Sequence, residues 1–258
     1  MGSTSIQFAG SDLARYVLQR ADDALVLGHR LSEWCGHAPM LEEDIALANI
    51  GLDLIGQARA LYTYAGEAEG AGHDEDQLAY LRDASGYGNL LLVEQPNGDF
   101  ASTMVRQLLY ATFADPYWRA MTQSADPTLA AIAAKAEKES AYHLRHAAEW
   151  TIRLGDGTVE SHRRAQAAVD ALWMYTGEPF AADAAELALI RDGIAADPRP
   201  LRAEWDATID KVLRQAALQR PADGWMQAGG RSGRHTEHLG YLLAELQFLQ
   251  RAYPGAKW

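Results

Sequence analysis

The carboxylate of Glu139 and the imidazole of His143 stand four residues apart in Glu139-Ser-Ala-Tyr-His143. On a helix that spacing brings both to one side, where they could hold one flank of a metal ion. Oxygen-activating four-helix proteins need more, a Glu on each of two helices and a Glu-x-x-His on each of the other two. The other polar residues that share apolar helix faces do not supply this set. Arg20, with Asp23 at the margin, lies on the apolar face of a first periodic stretch, and Asp44 on that of a second. Beside Asp44, residues Asn49, Asp53 and Gln57 form a polar line at i, i+4 and i+8, and Gln107 stands on the face of a third stretch. An arginine and a neutral amide therefore occupy places where iron would want acids. A buried cation competes with iron for the same carboxylates, so Arg20 paired with Asp44, Glu139 or Asp53 is the preferred reading. On that reading no residue is catalytic, cofactor-binding or metal-ligating. Asp44, Glu139 and His143 are at most remnants of a ligand set, and Arg20, Asp53 and Gln107 form a polar core cluster.

Three further groups have chemical potential and a simpler explanation. His235-Thr-Glu-His238 places two imidazoles close together, but lacks the third and fourth ligands of a zinc site. Thr236 as a helix N-cap with Glu237 in the first turn accounts for it. Cys35, the single cysteine, has no thiol to pair with and only His37 nearby as a helper, and is expected as a packed thiol at a helix end. Gly28, Gly36, Gly51 and Gly56 interrupt or flank helical stretches at about 1 kcal/mol each relative to Ala, which points to close helix contact. No Gly-rich phosphate loop follows a strand.

The elements that position these residues follow from periodicity. Asp12–Trp34 and Leu41–Ala68 are expected as long helices separated by Ala38-Pro39, with a shorter helix at Glu75–Arg82. Ser85–Gly98 is expected as a loop with an apolar centre, Leu90–Val93. Asp99 is a natural N-cap for a third long helix carrying Pro116 as a bend. Asp126-Pro127 opens a fourth, which ends at Gly155-Asp-Gly157. Further helical segments are predicted near Val159–Tyr175, Ala182–Ala195, Leu201–Arg220 and Thr236–Tyr253. No strand alternation persists over a useful length. The seven tryptophans fall mostly at helical spacing, which assigns them to core or interface packing. The expected fold is all-α, one domain over residues 1–258, with a four-helix core over about 11–155 and additional C-terminal helices over about 158–253.

Composition agrees and excludes other classes. A hydrophobic content of 48% suffices for a substantial core. The formal net charge of −12, without a long basic run, opposes a nucleic-acid partner. The longest apolar runs fall far short of a membrane span, and Met1–Gly10 has neither a basic flank nor a cleavable apolar region. A cytoplasmic protein is expected.

The run Leu31-Ser-Glu-Trp-Cys-Gly-His-Ala-Pro-Met-Leu-Glu-Glu-Asp-Ile-Ala-Leu-Ala-Asn-Ile-Gly-Leu-Asp-Leu-Ile-Gly-Gln-Ala-Arg59 resembles the PaaC family, one of the components of bacterial phenylacetyl-CoA epoxidase. Asn89-Leu-Leu-Leu-Val-Glu-Gln-Pro-Asn-Gly-Asp99, Asp197-Pro-Arg-Pro-Leu-Arg202 and His235-Thr-Glu-His-Leu-Gly240 extend the likeness over nearly the whole chain. The resemblance implies a ferritin-like, structural subunit that carries no iron and pairs with the catalytic subunit PaaA, where the di-iron centre is expected. PaaB and the reductase PaaE, with flavin, an iron–sulfur cluster and NADPH, complete such a system, which epoxidises the ring of phenylacetyl-CoA in aerobic phenylacetate catabolism. It leaves a homodimer open for the chain alone. Two other classes make different demands: an autonomous ferritin-like di-metal oxygenase or oxidase needs near-stoichiometric iron, and a storage protein needs a shell. Surface tryptophans and the Leu90–Val93 loop are the expected docking candidates.

Overall fold

A computed structural model describes residues 5–256, so Trp258 and the start of the Met1–Gly10 segment lie outside the described residues. Eleven α-helices and no strand occur among the described residues, as the periodicity predicts. The architecture is all-α, consistent with a ferritin-like helical bundle. The helices are α1 (Asp12–Ser32), α2 (Leu41–Glu69), α3 (Glu75–Tyr80), α4 (Leu91–Glu94), α5 (Phe100–Met121) and α6 (Pro127–Gly155). They continue as α7 (Val159–Leu172), α8 (Ala184–Arg191), α9 (Leu201–Gln215), α10 (Glu237–Leu246) and α11 (Phe248–Ala252). Contacts gather into two compact units. The first takes the chain up to Ser32, Gly51–Pro96 and everything from Gly229 onward; the second takes Glu33–Ile50 and Asn97–Ala228.

Local chemistry fixes the boundaries. The Asp99 carboxylate accepts from the Ser102 backbone N–H, and Asp126 accepts from those of Thr128 and Leu129 ahead of Pro127, so α5 and α6 start where the sequence places them. Asp74 and Gln77 form a reciprocal capping box on α3. α9 ends five residues earlier than the predicted Arg220, because Ala217 turns into the left-handed region at φ 54°. Arg220 then reaches back to Asp206 at 2.7 Å and Asp210 at 2.8 Å. The last predicted helix is split at Gln247, whose amide donates to the carbonyls of Ala79 and Arg82.

In the first unit α1 is enclosed on every side: each residue from Tyr16 to Gly28 is buried. Gly28 and Gly51 let α1 and α2 approach closely, since a Cβ on Gly28 would stand 3.2 Å from the Gly51 carbonyl and one on Gly51 would stand 3.3 Å from that of Gly28. Gly36 differs; it has φ +79° in a turn with open space around it, and makes no helix contact. In the second unit Trp205 donates from Nε1 to the Leu109 carbonyl at 3.0 Å and packs near Trp173 and Phe180. Phe100 meets Trp34 and Trp150 edge-on. Trp118, Trp173 and Trp205 are buried, while Trp225 is exposed.

Three expectations are corrected here. Leu90–Val93 is not a sticky surface loop: all four side chains are buried and Leu91–Glu94 is helical, since the run is long enough to fill core space under its own turn. Cys35 is not packed but exposed, in the turn that follows α1. The predicted apolar face of α2 is not its core face, because Leu41, Ile45 and Leu52 are 72%, 54% and 66% exposed. Leu47, Ile50, Leu54, Ala58, Leu61 and Tyr62 are buried instead. The helix carries apolar residues on two sides, and periodicity alone cannot rank them.

Candidate functional site

The second unit holds the acid–imidazole pair, and α2 delivers a different acid to it from the one predicted. Asp44 is half-buried and its carboxylate accepts the Gly36 backbone N–H at 2.8 Å, bracing the turn before α2. The neighbouring Glu43 is buried and its Oε2 lies 2.8 Å from Nε2 of His146 on α6. Since a carboxylate accepts, Nε2 carries the proton and Nδ1 of His146 is left buried without a hydrogen bond among the described residues. The one-residue error at Asp44 has the same origin as the misplaced apolar face: turning α2 by about 100° exchanges neighbours.

His143 is buried on α6, edge-on to the Tyr142 ring at 6.3 Å, and Glu139 is half-buried with Lys135 Nζ at 3.4 Å. Gln107 is buried on α5, with its Oε1 lacking a hydrogen bond among the described residues. No group of three or more His, Cys, Asp or Glu side chains is disposed to hold a metal ion among the described residues. Asp44 is turned to a backbone N–H and Glu139 lies beside a lysine.

The first unit contains a denser arrangement that periodicity does not reveal. Asp22 on α1 accepts from the Tyr62 hydroxyl at 2.6 Å, from the Gly88 N–H at 2.7 Å and from both terminal nitrogens of Arg82. Arg82 also donates to the carbonyls of Leu78 and Gly86, and its guanidinium lies 4.2 Å from the Tyr87 ring centroid. Burial opposes the charge on Arg82, but Asp22 and the two phenols outweigh it and raise its pKa. Burial, chiefly, pushes the Tyr87 phenol up to about 12.

Asp23 accepts the Leu90 N–H at 2.7 Å and a two-pronged contact from Arg231 at 3.0 and 2.6 Å, with Arg20 Nη1 3.9 Å away. Burial raises the Asp23 pKa against the pull of Arg231 and Arg20. Arg20 also lies over the Tyr16 ring at 4.9 Å. Asp53 is half-buried on α2, and Gln57 on the same polar line is buried. Glu94 accepts from Asn89, His235 and, twice, Thr236. Thr236 therefore stands at the N-cap position of α10, but its hydroxyl serves Glu94 and makes no cap bond. A cavity of about 500 Å³ beside this network is walled in part by Phe8, Arg15, Gln19, Arg82, Gly88 and Arg231. Its three arginines are already paired with Asp12, Asp22 and Asp23, so the wall offers no surplus positive charge to an anion.

Asp22, Arg82, Glu43, His146 and Glu94 were not singled out from the sequence. The signal that could have found Asp22 is the run Tyr16–Leu31, which carries apolar residues on all sides, so every polar residue inside it needs a partner.

The Asp22–Arg82, Asp23–Arg231 and Glu94–His235 pairs are buried and tie together segments far apart in the chain. A model of the family described as "Phenylacetic acid catabolic protein" matches residues 3–258. The chain is also 51% identical over 248 residues to the C subunit of the 1,2-phenylacetyl-CoA epoxidase of Escherichia coli (strain K12), covering 96% of this chain and 100% of that protein. With a likeness of that extent at both levels, the chain belongs to the phenylacetic acid catabolic protein family.

Proposed function

We propose that this chain is the structural, non-catalytic subunit of a multicomponent phenylacetyl-CoA epoxidase in aerobic phenylacetate breakdown. The carrying observation is the likeness to the C subunit of the Escherichia coli epoxidase, which runs the full length of that protein. Its role is to pair with and brace a catalytic subunit of the PaaA type, which holds the di-iron centre. PaaB and the flavin, iron–sulfur and NADPH-dependent reductase PaaE complete the assembly, in the cytoplasm.

Two features of the chain support the reading. Asp22 and Asp23 are paired with arginines, Glu43 with His146, and Asp44 with a backbone N–H. Leu41, Ile45 and Leu52 leave one side of α2 apolar and in water, an arrangement suited to burial against a partner protein. No helix among the described residues is long and apolar enough to cross a membrane, so this apolar side is not part of a span.

The test is co-expression with PaaA followed by iron analysis of each chain. The expected result is a stable complex with iron in PaaA and a metal-poor partner. Near-stoichiometric iron and oxygen chemistry in this chain alone would overturn the proposal.

A further inference from the structure

His235 lies in the stretch that leads into α10, and both of its ring nitrogens are engaged. Nδ1 is 2.8 Å from Glu94 Oε2 on α4, and Nε2 is 2.9 Å from the Tyr87 carbonyl. A carbonyl can only accept, so Nε2 carries a proton. The Glu94 carboxylate also accepts from the Thr236 N–H at 2.7 Å, the Thr236 hydroxyl at 2.8 Å and Asn89 Nδ2 at 2.9 Å. With three donors already pointing at it, the carboxylate stands as an acceptor to the ring as well, which places the second proton on Nδ1. The ring is then an imidazolium, and either neutral tautomer would turn a lone pair toward an oxygen acceptor.

The surroundings support that charge. The groups facing the ring are Glu94 from α4, the Tyr87 carbonyl and, through space, Asp22 from α1. Arg30 from α1 is a neighbouring cation and donates to the carbonyls of Glu94 and His238. Along the chain itself stand Arg234, Glu237 and His238. Burial lowers the His235 pKa, but the bonds to Glu94 and Tyr87 outweigh it, so the net shift is upward from 6.5.

We propose that His235 and Glu94 form a proton-held clasp that fixes the start of α10 to α4 and the preceding loop, so that the C-terminal helices loosen as the pH rises. The sign follows from linkage. A histidine whose folded pKa is raised contributes fully below the unfolded value of about 6.5, and its contribution is lost as the pH climbs through the folded value. Local opening of α10 and α11 should rise by up to about tenfold per pH unit across that window.

Nitrogen-15 NMR of histidine-labelled full-length chain tests the charge directly. The expected spectrum shows His235 protonated on both nitrogens at the ordinary imidazole pKa of about 6.5, losing one proton only above it. A neutral ring at that pH overturns the proposal. Amide hydrogen exchange, normalised for intrinsic rates, tests the consequence: α10 and α11 should open more with rising pH in the native chain and without pH dependence in His235→Gln. Opening that does not change with pH in the native chain also overturns it. Should the variant fail to fold, the native-chain titration and exchange still decide.

Discussion

The Asp22 carboxylate and the Arg82 guanidinium face each other with 0% and 1% of their side chains exposed, and neither has water to fall back on. Removing one member leaves the other charged and buried, which costs about 3–5 kcal/mol. Arg82→Met should lose that much stability in urea unfolding. The double variant Asp22→Leu/Arg82→Met should lose less than the sum of the singles. It should not return to the native value, because the Gly88 N–H and the Tyr62 hydroxyl lose their acceptor. A loss under about 1 kcal/mol for Arg82→Met would remove the pair from the centre of the first unit.

The exposed side of α2 separates stability from assembly. Ile45→Glu and Leu52→Glu replace side chains already in water, so each should change the stability of the chain alone by no more than about 0.5 kcal/mol. Both should abolish co-purification with PaaA. Undiminished complex formation by both variants, with native melting curves, would move the docking face elsewhere.

Leu91 and Leu92 behave in the opposite way. Each is buried, so Leu91→Asp or Leu92→Asp places a carboxylate in an apolar setting and should cost more than about 3 kcal/mol. Loss of PaaA binding in these variants should therefore accompany loss of cooperative unfolding by circular dichroism. A folded variant deficient only in binding would contradict the burial.

Gly28 lies at a close approach of α1 and α2. A valine there would press its β-carbon toward Ile55 at 3.1 Å and the Gly51 carbonyl at 3.2 Å. Gly28→Val should destabilise by about 1–3 kcal/mol, seen as a lower melting temperature. Gly36→Ala meets no neighbour but must hold a left-handed backbone, so its smaller loss should come from strain alone.

The sequence made the helices legible because caps and stops are local: Asp99 and Asp126 open their helices where their neighbours predict. What it concealed were properties decided by distant residues. α1 reads as a helix with one apolar face, yet it is covered all round, and only Arg82 and Gly88, distant in sequence, give Asp22 its place in the core. α2 has two apolar sides, and only tertiary packing chose Glu43 for burial and sent Asp44 to the turn. Leu90–Val93 resembled a surface patch because four apolar residues in a row carry no period by which to assign a face. The polar core was legible as a type, with arginine paired to acid, but not as a list of pairs.

The first unit draws its last pieces from the far end of the chain. Asp23 waits for Arg231, and Glu94 for His235 and Thr236. During synthesis the ribosome releases the amino-terminal helices first. Two acids destined for the interior therefore remain without these partners until residues 231–236 have been made. A chain stopped short of Arg231 would carry a buried acid at Asp23 without its two-pronged guanidinium and a Glu94 without the imidazole and threonine that face it.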